Sequence, residues 1–268
     1  MELKQKSKDI KISILKMLNN AGNGHTGGSL STADIFTALY FQIMNIDPKN
    51  PNDPSRDRLI LSNGHVAPVM YASLAHSGYF PVDELMTLRK LNSRLQGHPH
   101  MNSAPGIENT AGPLGQGISV AVGHALAAKL DNKDYITYCS LGDGELNEGQ
   151  VWEAFFSINK FKLNNLICFI DRNKVQLSGD SIDIMPLEPL ADKLASFNLN
   201  VIEASGHDFD EIITAFESAK NSNKPTIIIF NTIMGKGVSF MEGSYKWHGI
   251  APDDEQTKKA IEEIQNGE

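Results

Sequence analysis

Two side chains with hard oxygen donors, Asp143 and Asn173, stand 30 positions apart, each just beyond a short apolar run. The first lies in Gly142-Asp143-Gly144-Glu145-Leu146-Asn147-Glu148-Gly149 and the second in Asp171-Arg172-Asn173-Lys174-Val175. A Mg²⁺ ion takes one or two such oxygens from protein and fills its shell with phosphate and water. Glycine beside Asp143 lets a phosphate group approach the backbone closely. The pair therefore reads as a metal–diphosphate clamp. Gly-Asp-Gly alone is a common turn, and Asn173 alone serves equally as a turn residue or helix cap, so the combination carries the reading. An EF-hand loop beginning at Asp143 fails, because Glu148 and Ala154 stand where Gly and Glu are required.

Histidine supplies the second chemical signal. Six of the eight histidines adjoin a glycine: His25, His65, His98, His124, His207 and His248. Such pairs suggest tight loops that present imidazole, the group that gives and takes a proton near neutral pH. His124 falls within a helical run, His76 precedes a Ser-Gly turn and His100 matches no motif, so these three read as structural. His207 reads as part of a cap and turn. The loop over residues 106–117 is glycine-rich and runs into a helix, yet its spacing fits neither the dinucleotide fingerprint nor the Walker loop, and no Lys follows.

These groups need elements to hold them. Residues 135–140 and 166–170 have the length and the β-branched or aromatic content of buried strands, which sets Asp143 and Asn173 at neighbouring strand ends. Further strands are expected at 58–61, 200–203 and 226–233, and helices at 31–44, 117–130, 151–159 and 208–220. Alternating β and α segments imply an α/β fold, a parallel sheet of five or more strands with helices on both faces. Ligands of such sheets lie beyond the carboxyl ends of the strands.

The 268 residues, 41% of them hydrophobic, suffice for one large domain, 1–268, with no repeat or linker to divide it. Residues 47–57 carry three prolines and read as a long surface loop. A net charge of −8 and scattered Lys and Arg argue against nucleic acid or an anionic membrane as partner. No apolar run approaches the roughly 18 residues of a membrane span. Residues 1–20 read as an amphipathic helix; lacking Arg and containing Glu2 and Asp9, they resemble neither a signal nor a transit peptide, so a cytoplasmic location is expected. Cys139 and Cys168 fall in expected buried strands and read as free, structural thiols.

In order along the chain, Gly22-Asn23-Gly24-His25-Thr26-Gly27-Gly28, Ile60-Leu61-Ser62-Asn63-Gly64-His65, Gly97-His98-Pro99, the 106–117 loop, the Asp143–Asn173 pair and Trp247-His248-Gly249 resemble segments of the transketolase family. The resemblance runs from about residue 22 to residue 252. It implies a thiamine diphosphate-binding fold in which Asp143, Asn173 and the carbonyl of Val175 hold Mg²⁺, with Ca²⁺ an alternative. Gly142 and Gly144 would line the diphosphate, the Gly144 amide facing it, and His65 would hydrogen-bond it. Gly112 would meet the aminopyrimidine, with Leu114 packing on the cofactor and Leu177 on the thiazolium. His98 would meet the terminal hydroxyl of the donor sugar, while His25 and His248 would handle protons at carbonyl oxygens.

Members of this family continue into a pyrimidine-binding domain and a further C-terminal domain. The resemblance thus implies the N-terminal subunit of a two-chain transketolase, inactive without a separate C-terminal subunit. The implied assembly is a heterotetramer built on a homodimer contact, with Trp152 and Glu153 at that contact. The implied reaction moves a two-carbon ketol unit from a ketose phosphate to an aldose phosphate. Two alternatives stay open. One is part of a related thiamine enzyme, either a transketolase for a sulfonated or otherwise modified sugar or a deoxyxylulose phosphate synthase type; the other is a noncatalytic α/β module. The joint presence of the metal donors and four channel histidines argues against the module.

Overall fold

The computed structural model describes residues 2–267, so only the outermost positions of the expected 1–268 domain lie outside it. In chain order the helices are α1 (Glu2–Ala21), α2 (Thr26–Ser31), α3 (Ala33–Ala38), α4 (Ala67–Ser77), α5 (Gln116–Leu130), α6 (Gly149–Lys160), α7 (Ser181–Ile184), α8 (Leu190–Ala195), α9 (Phe209–Lys220) and α10 (Asp254–Asn266). The strands are β1 (Arg58–Leu61), β2 (Thr137–Gly142), β3 (Leu166–Arg172), the short β4 (Val175–Gln176) and β5 (Gly179–Asp180), then β6 (Asn200–Ser205) and β7 (Thr226–Asn231). Five of them form a wholly parallel sheet in the order β1-β2-β3-β7-β6, and β4 pairs with β5 as a small antiparallel hairpin.

Period-2 alternation divides the sheet between two cores. Tyr138, Ile167, Phe169, Ile228 and Phe230 point to one face, where they meet Ile14 and Leu18 of α1, Phe36 of α3 and Phe216 of α9. Cys139, Leu141, Cys168, Ile170, Ile227 and Ile229 point to the other, against Ile118 of α5, Phe155 of α6 and Leu194 of α8. Every residue of β3 is buried, as a central parallel strand covered on both faces must be. The expected α/β architecture is therefore the observed one, and both cysteines are free and buried within it.

Where the structure departs from expectation, local chemistry explains it. The helix expected over 31–44 is broken: Ser31 ends α2, Thr32 separates it from α3, and Leu39–Ile43 widens into a π-helical turn. Ser31 and Thr32 both turn their hydroxyls back onto the Gly28 carbonyl, at 2.9 and 2.8 Å, and such back-bonding competes with the helical ladder. Helices α4 and α10 are additions to the expected set. The first is almost uniformly apolar and so shows little helical periodicity, whereas α10 opens with a capping box between Asp253 and Gln256 that is legible in the sequence.

Candidate active site

Strands β2 and β3 run in register with Gly142 opposite Asp171, so Asp143 and Asn173 leave the carboxyl ends of adjacent strands together. Asp143 is buried. Its Oδ1 accepts from the Gly144 amide at 2.7 Å, and its Oδ2 accepts from Arg172 Nη1 at 2.7 Å and the Lys174 amide at 2.8 Å. Burial raises the Asp143 carboxyl above its usual value, and the Arg172 guanidinium opposes that rise. Asn173 Oδ1 accepts from the Val175 amide at 2.9 Å. A carboxylate has about four lone-pair positions and an amide oxygen two, so Asp143 and Asn173 each retain acceptor capacity for a cation. Among the described residues no cluster of three His, Cys, Asp or Glu side chains is placed to hold a metal. An ion held here would draw on the single Asp143 carboxylate together with amide, carbonyl and phosphate oxygens, and that donor set fits Mg²⁺.

Two buried carboxylates escaped the sequence reading. Asp171 Oδ2 accepts from Ser31 Oγ at 2.7 Å and Asn173 Nδ2 at 2.9 Å, and Oδ1 accepts from Thr232 Oγ1. It fixes the Asn173 amide so that its oxygen, not its nitrogen, remains for a cation. Burial pushes the Asp171 carboxyl up to about 6. Glu145 accepts from Ser62 Oγ and from the amides of Gly115 (2.7 Å) and Gly142 (3.0 Å), tying the ends of β1 and β2 to the entrance of α5. The signal was present in both cases: an acid in an otherwise apolar strand, and an acid directly after Gly-Asp-Gly.

Four of the predicted histidines converge. The His25 ring lies 5.1 Å from His65, 5.8 Å from His248 and 6.4 Å from His98, and His65 stacks on His248 at 5.4 Å. Each arrives on a different segment: His25 before α2, His65 after β1, His98 in the loop after Arg89, His248 in the turn after β7. Glycines make the approach possible. A Cβ on Gly27 would lie 2.5 Å from Met234 Cγ and 3.0 Å from the Trp247 carbonyl, and one on Gly28 would lie 2.9 Å from Val66 Cγ1, so a side chain at either position would force its neighbours to shift. Burial, together with the charges of His248, His98 and Arg89, lowers His25 to about 4. His65, lowered to about 3 by burial and then by His25, His248 and His98, is also neutral at pH 7. Burial lowers His98 and His248 as well, with Arg89 adding to the effect at His98. Neutral rings offer one donor and one acceptor each. The buried Nδ1 atoms of His25 and His248 have no hydrogen-bond partner among the described residues.

The remaining predicted residues border this cluster. Gly112 adjoins Gly64: a Cβ on Gly64 would lie 3.2 Å from the Gly112 nitrogen, while one on Gly112 itself would meet nothing within 4 Å. Leu114 is half-buried in the same loop. Leu177 is 66% exposed on the β4–β5 hairpin and overhangs Gly249, whose Cβ would lie 3.5 Å from Leu177 Cδ1 and 3.8 Å from His25 Nε2. His76, His100, His124 and His207 lie outside the cluster. His207 bridges Asp34 Oδ2 (3.0 Å) and the Ile233 amide (2.8 Å), and Asp208 caps α9. A cleft of about 820 Å³ between α1 and the start of α9 contains none of the predicted site residues.

The parallel sheet, with an oxygen-donor pair leaving β2 and β3 and four imidazoles on the surrounding loops, is the thiamine diphosphate-binding fold of the transketolases. Transketolase from Campylobacter jejuni superposes with a TM-score of 0.93 at 36% identity, over 98% of this chain and 42% of that one. The chain belongs to the transketolase family: residues 4–265 match the family described as transketolase, thiamine diphosphate binding domain. It is similar to the 6-deoxy-6-sulfo-D-fructose transketolase subunit SqwG of Clostridium sp. (strain MSTE9), 44% identical over 99% of this chain and 97% of that protein. It also resembles an apulose-4-phosphate transketolase subunit of Phocaeicola vulgatus, 42% identical over 94% and 89% of the two chains. Against the transketolase of Homo sapiens, 37% identical, it spans 42% of the length.

Proposed function

We propose that this chain is the cofactor-binding subunit of a two-chain transketolase, acting as one diphosphate- and metal-binding domain beside a separate C-terminal subunit. The observation that carries the reading is the convergence of four neutral imidazoles, with Asn63, two residues before His65, lying against Gly142 of the Asp143 turn. Support for two chains comes from relatives that match this chain nearly end to end and are themselves named as subunits. Thiamine diphosphate, when bound, supplies the electron sink for cleaving and remaking a carbon–carbon bond beside a carbonyl.

In this reading Asp143, Asn173 and the Val175 carbonyl hold Mg²⁺, and Gly142, Gly144 and His65 receive the diphosphate. Gly112 and Leu114 border the aminopyrimidine, and Leu177 covers the thiazolium. His98 orients the terminal hydroxyl of the donor, and His25 and His248 hold or move protons at the sugar oxygens. Neutral imidazoles suit that task, since each can donate through one nitrogen and accept through the other. The donor is a ketose bearing an anionic group, phosphate in the first instance. A sulfonated donor is the second reading, favoured by the 44% identity to the sulfofructose enzyme's subunit. A homodimer contact at Trp152 and Glu153 completes a cytoplasmic heterotetramer; Trp152 meets the Phe155 ring edge-on and the Phe197 ring at a tilt, and the nearby Phe156 is 67% exposed.

Gentle isolation of the tagged chain from its host with thiamine diphosphate and Mg²⁺, followed by native mass spectrometry, tests the assembly. A complex holding a second chain and cofactor is expected, and its two-carbon transfer from fructose 6-phosphate and from 6-deoxy-6-sulfofructose then separates the two donors. A cofactor-free oligomer of this chain alone would sink the proposal in favour of a noncatalytic module.

A further inference from the structure

Two primary amides flank the Gly142-Asp143-Gly144 turn, and neither serves the groups described so far. Gln176, on β4, lays its side chain against Gly144: a Cβ there would lie 3.2 Å from Gln176 Cγ and 3.8 Å from its Nε2. That Nε2 is buried, and no acceptor among the described residues takes its protons. Across the turn Asn63 is 0% exposed, with a Cβ on Gly142 lying 3.7 Å from its own, and both its amide oxygen and nitrogen lack partners among the described residues. Leaving a buried amide unpaired is costly, so a turn bordered on both sides by such groups is built to be completed by something polar.

The charge of that missing partner follows from the surroundings. Gln176 Nε2 is a donor only, so it wants an acceptor. None of the acceptors around the turn reaches it among the described residues: the Asp143 oxygens bind Gly144, Arg172 and Lys174, and Glu145 binds Ser62, Gly115 and Gly142. We propose that Gln176 is a further ligand of the cofactor, donating from Nε2 to a phosphoryl oxygen held at the Gly144 turn. The inference rests on the thiamine diphosphate reading above and adds a side-chain donor to a site otherwise served by backbone amides and His65. Position 176 ends β4 and Leu177 opens the turn that follows, so one short hairpin would grip the cofactor at its phosphate and its ring.

The test is isothermal titration calorimetry of thiamine diphosphate, with Mg²⁺ present, into the assembled two-chain enzyme. Gln176→Met keeps the length and apolar stem without the donor, and Gln176→Glu keeps the shape but sets an acceptor against phosphate. A hydrogen bond to a charged group corresponds to about a ten- to one-hundredfold weaker Kd for the Met variant, and the Glu variant should be weaker still. Melting temperature without cofactor should change little in both. A Kd within twofold of wild type in Gln176→Met overturns the assignment while leaving the cofactor reading intact. A wild-type complex that binds no thiamine diphosphate overturns both.

Discussion

Consider the metal-free protein with Asp143→Asn, Arg172→Met, or both. The two side chains are 3% and 7% exposed and meet at 2.7 Å. Removing one partner of a buried ion pair typically costs about 3–5 kcal/mol, because the other charge stays behind. Asp143→Asn should fall at the upper end: its new NH₂ group would face Arg172 and the Lys174 amide, donor against donor. Arg172→Met should fall at the lower end, since the carboxylate keeps its two backbone donors and only Glu188, 57% exposed, loses its partner. The double variant should cost about 1–3 kcal/mol less than the two singles added together. Urea unfolding of the four proteins at pH 7 gives the cycle directly. Single costs that add to within about 0.5 kcal/mol would show that the pair is not coupled and that this account of the metal turn is wrong.

Arg172 also sets a cation beside the metal donors, so Arg172→Met should bind Mn²⁺ without any diphosphate at least about tenfold more tightly than wild type, read by electron paramagnetic resonance; equal affinities would contradict this. Asp171→Ala frees the Asn173 amide to rotate and should weaken Mn²⁺ binding in the presence of thiamine diphosphate by about 10- to 100-fold, with an unchanged titration as the adverse result. Without cofactor, stability should fall as pH drops from about 6.5 toward 4. His25 and His65 are depressed in the fold to about 4 and about 3, so the unfolded chain takes up protons first. Each should contribute about 2 kcal/mol of loss between pH 7 and pH 5, and His65→Gln should flatten the urea midpoint against pH; the same slope in both proteins would refute the cause. His98→Ala should leave cofactor affinity unchanged but slow turnover of the assembled enzyme by about 10²- to 10⁴-fold; a parallel loss of affinity would recast His98 as a cofactor ligand.

The sheet was legible because buried parallel strands are continuous apolar runs, and β2, β3 and β7 declare themselves that way, whereas the edge strand β6 shows only the short apolar pair Val201-Ile202 between polar residues. Their pairing order was not, since nothing local to Thr226–Asn231 says that it lies between β3 and β6. The convergence of His25, His65, His98 and His248 came from motif order rather than physics: four loops separated along the chain meet only through tertiary packing. Arg172 sits inside its motif without showing a role there, because an ion pair to Asp143 depends on how the chain leaves β3. Gln176 and Asn63 stayed silent for a related reason. An amide is distinctive only once its surroundings reveal that no neighbour takes its hydrogen bonds.

The stacked rings of His65 and His248, with His25 beside them, unite positions separated by most of the chain's length. During synthesis such a cluster closes only after His248 has been made, and the loop entropy for joining distant segments must be overcome before their contacts reward it. A molecule stalled before the Trp247-His248 turn lacks the ring that closes the group. Conversely, a ligand that binds only the closed cluster stabilises the whole fold by mass action, about 2.7 kcal/mol at one hundred times its Kd.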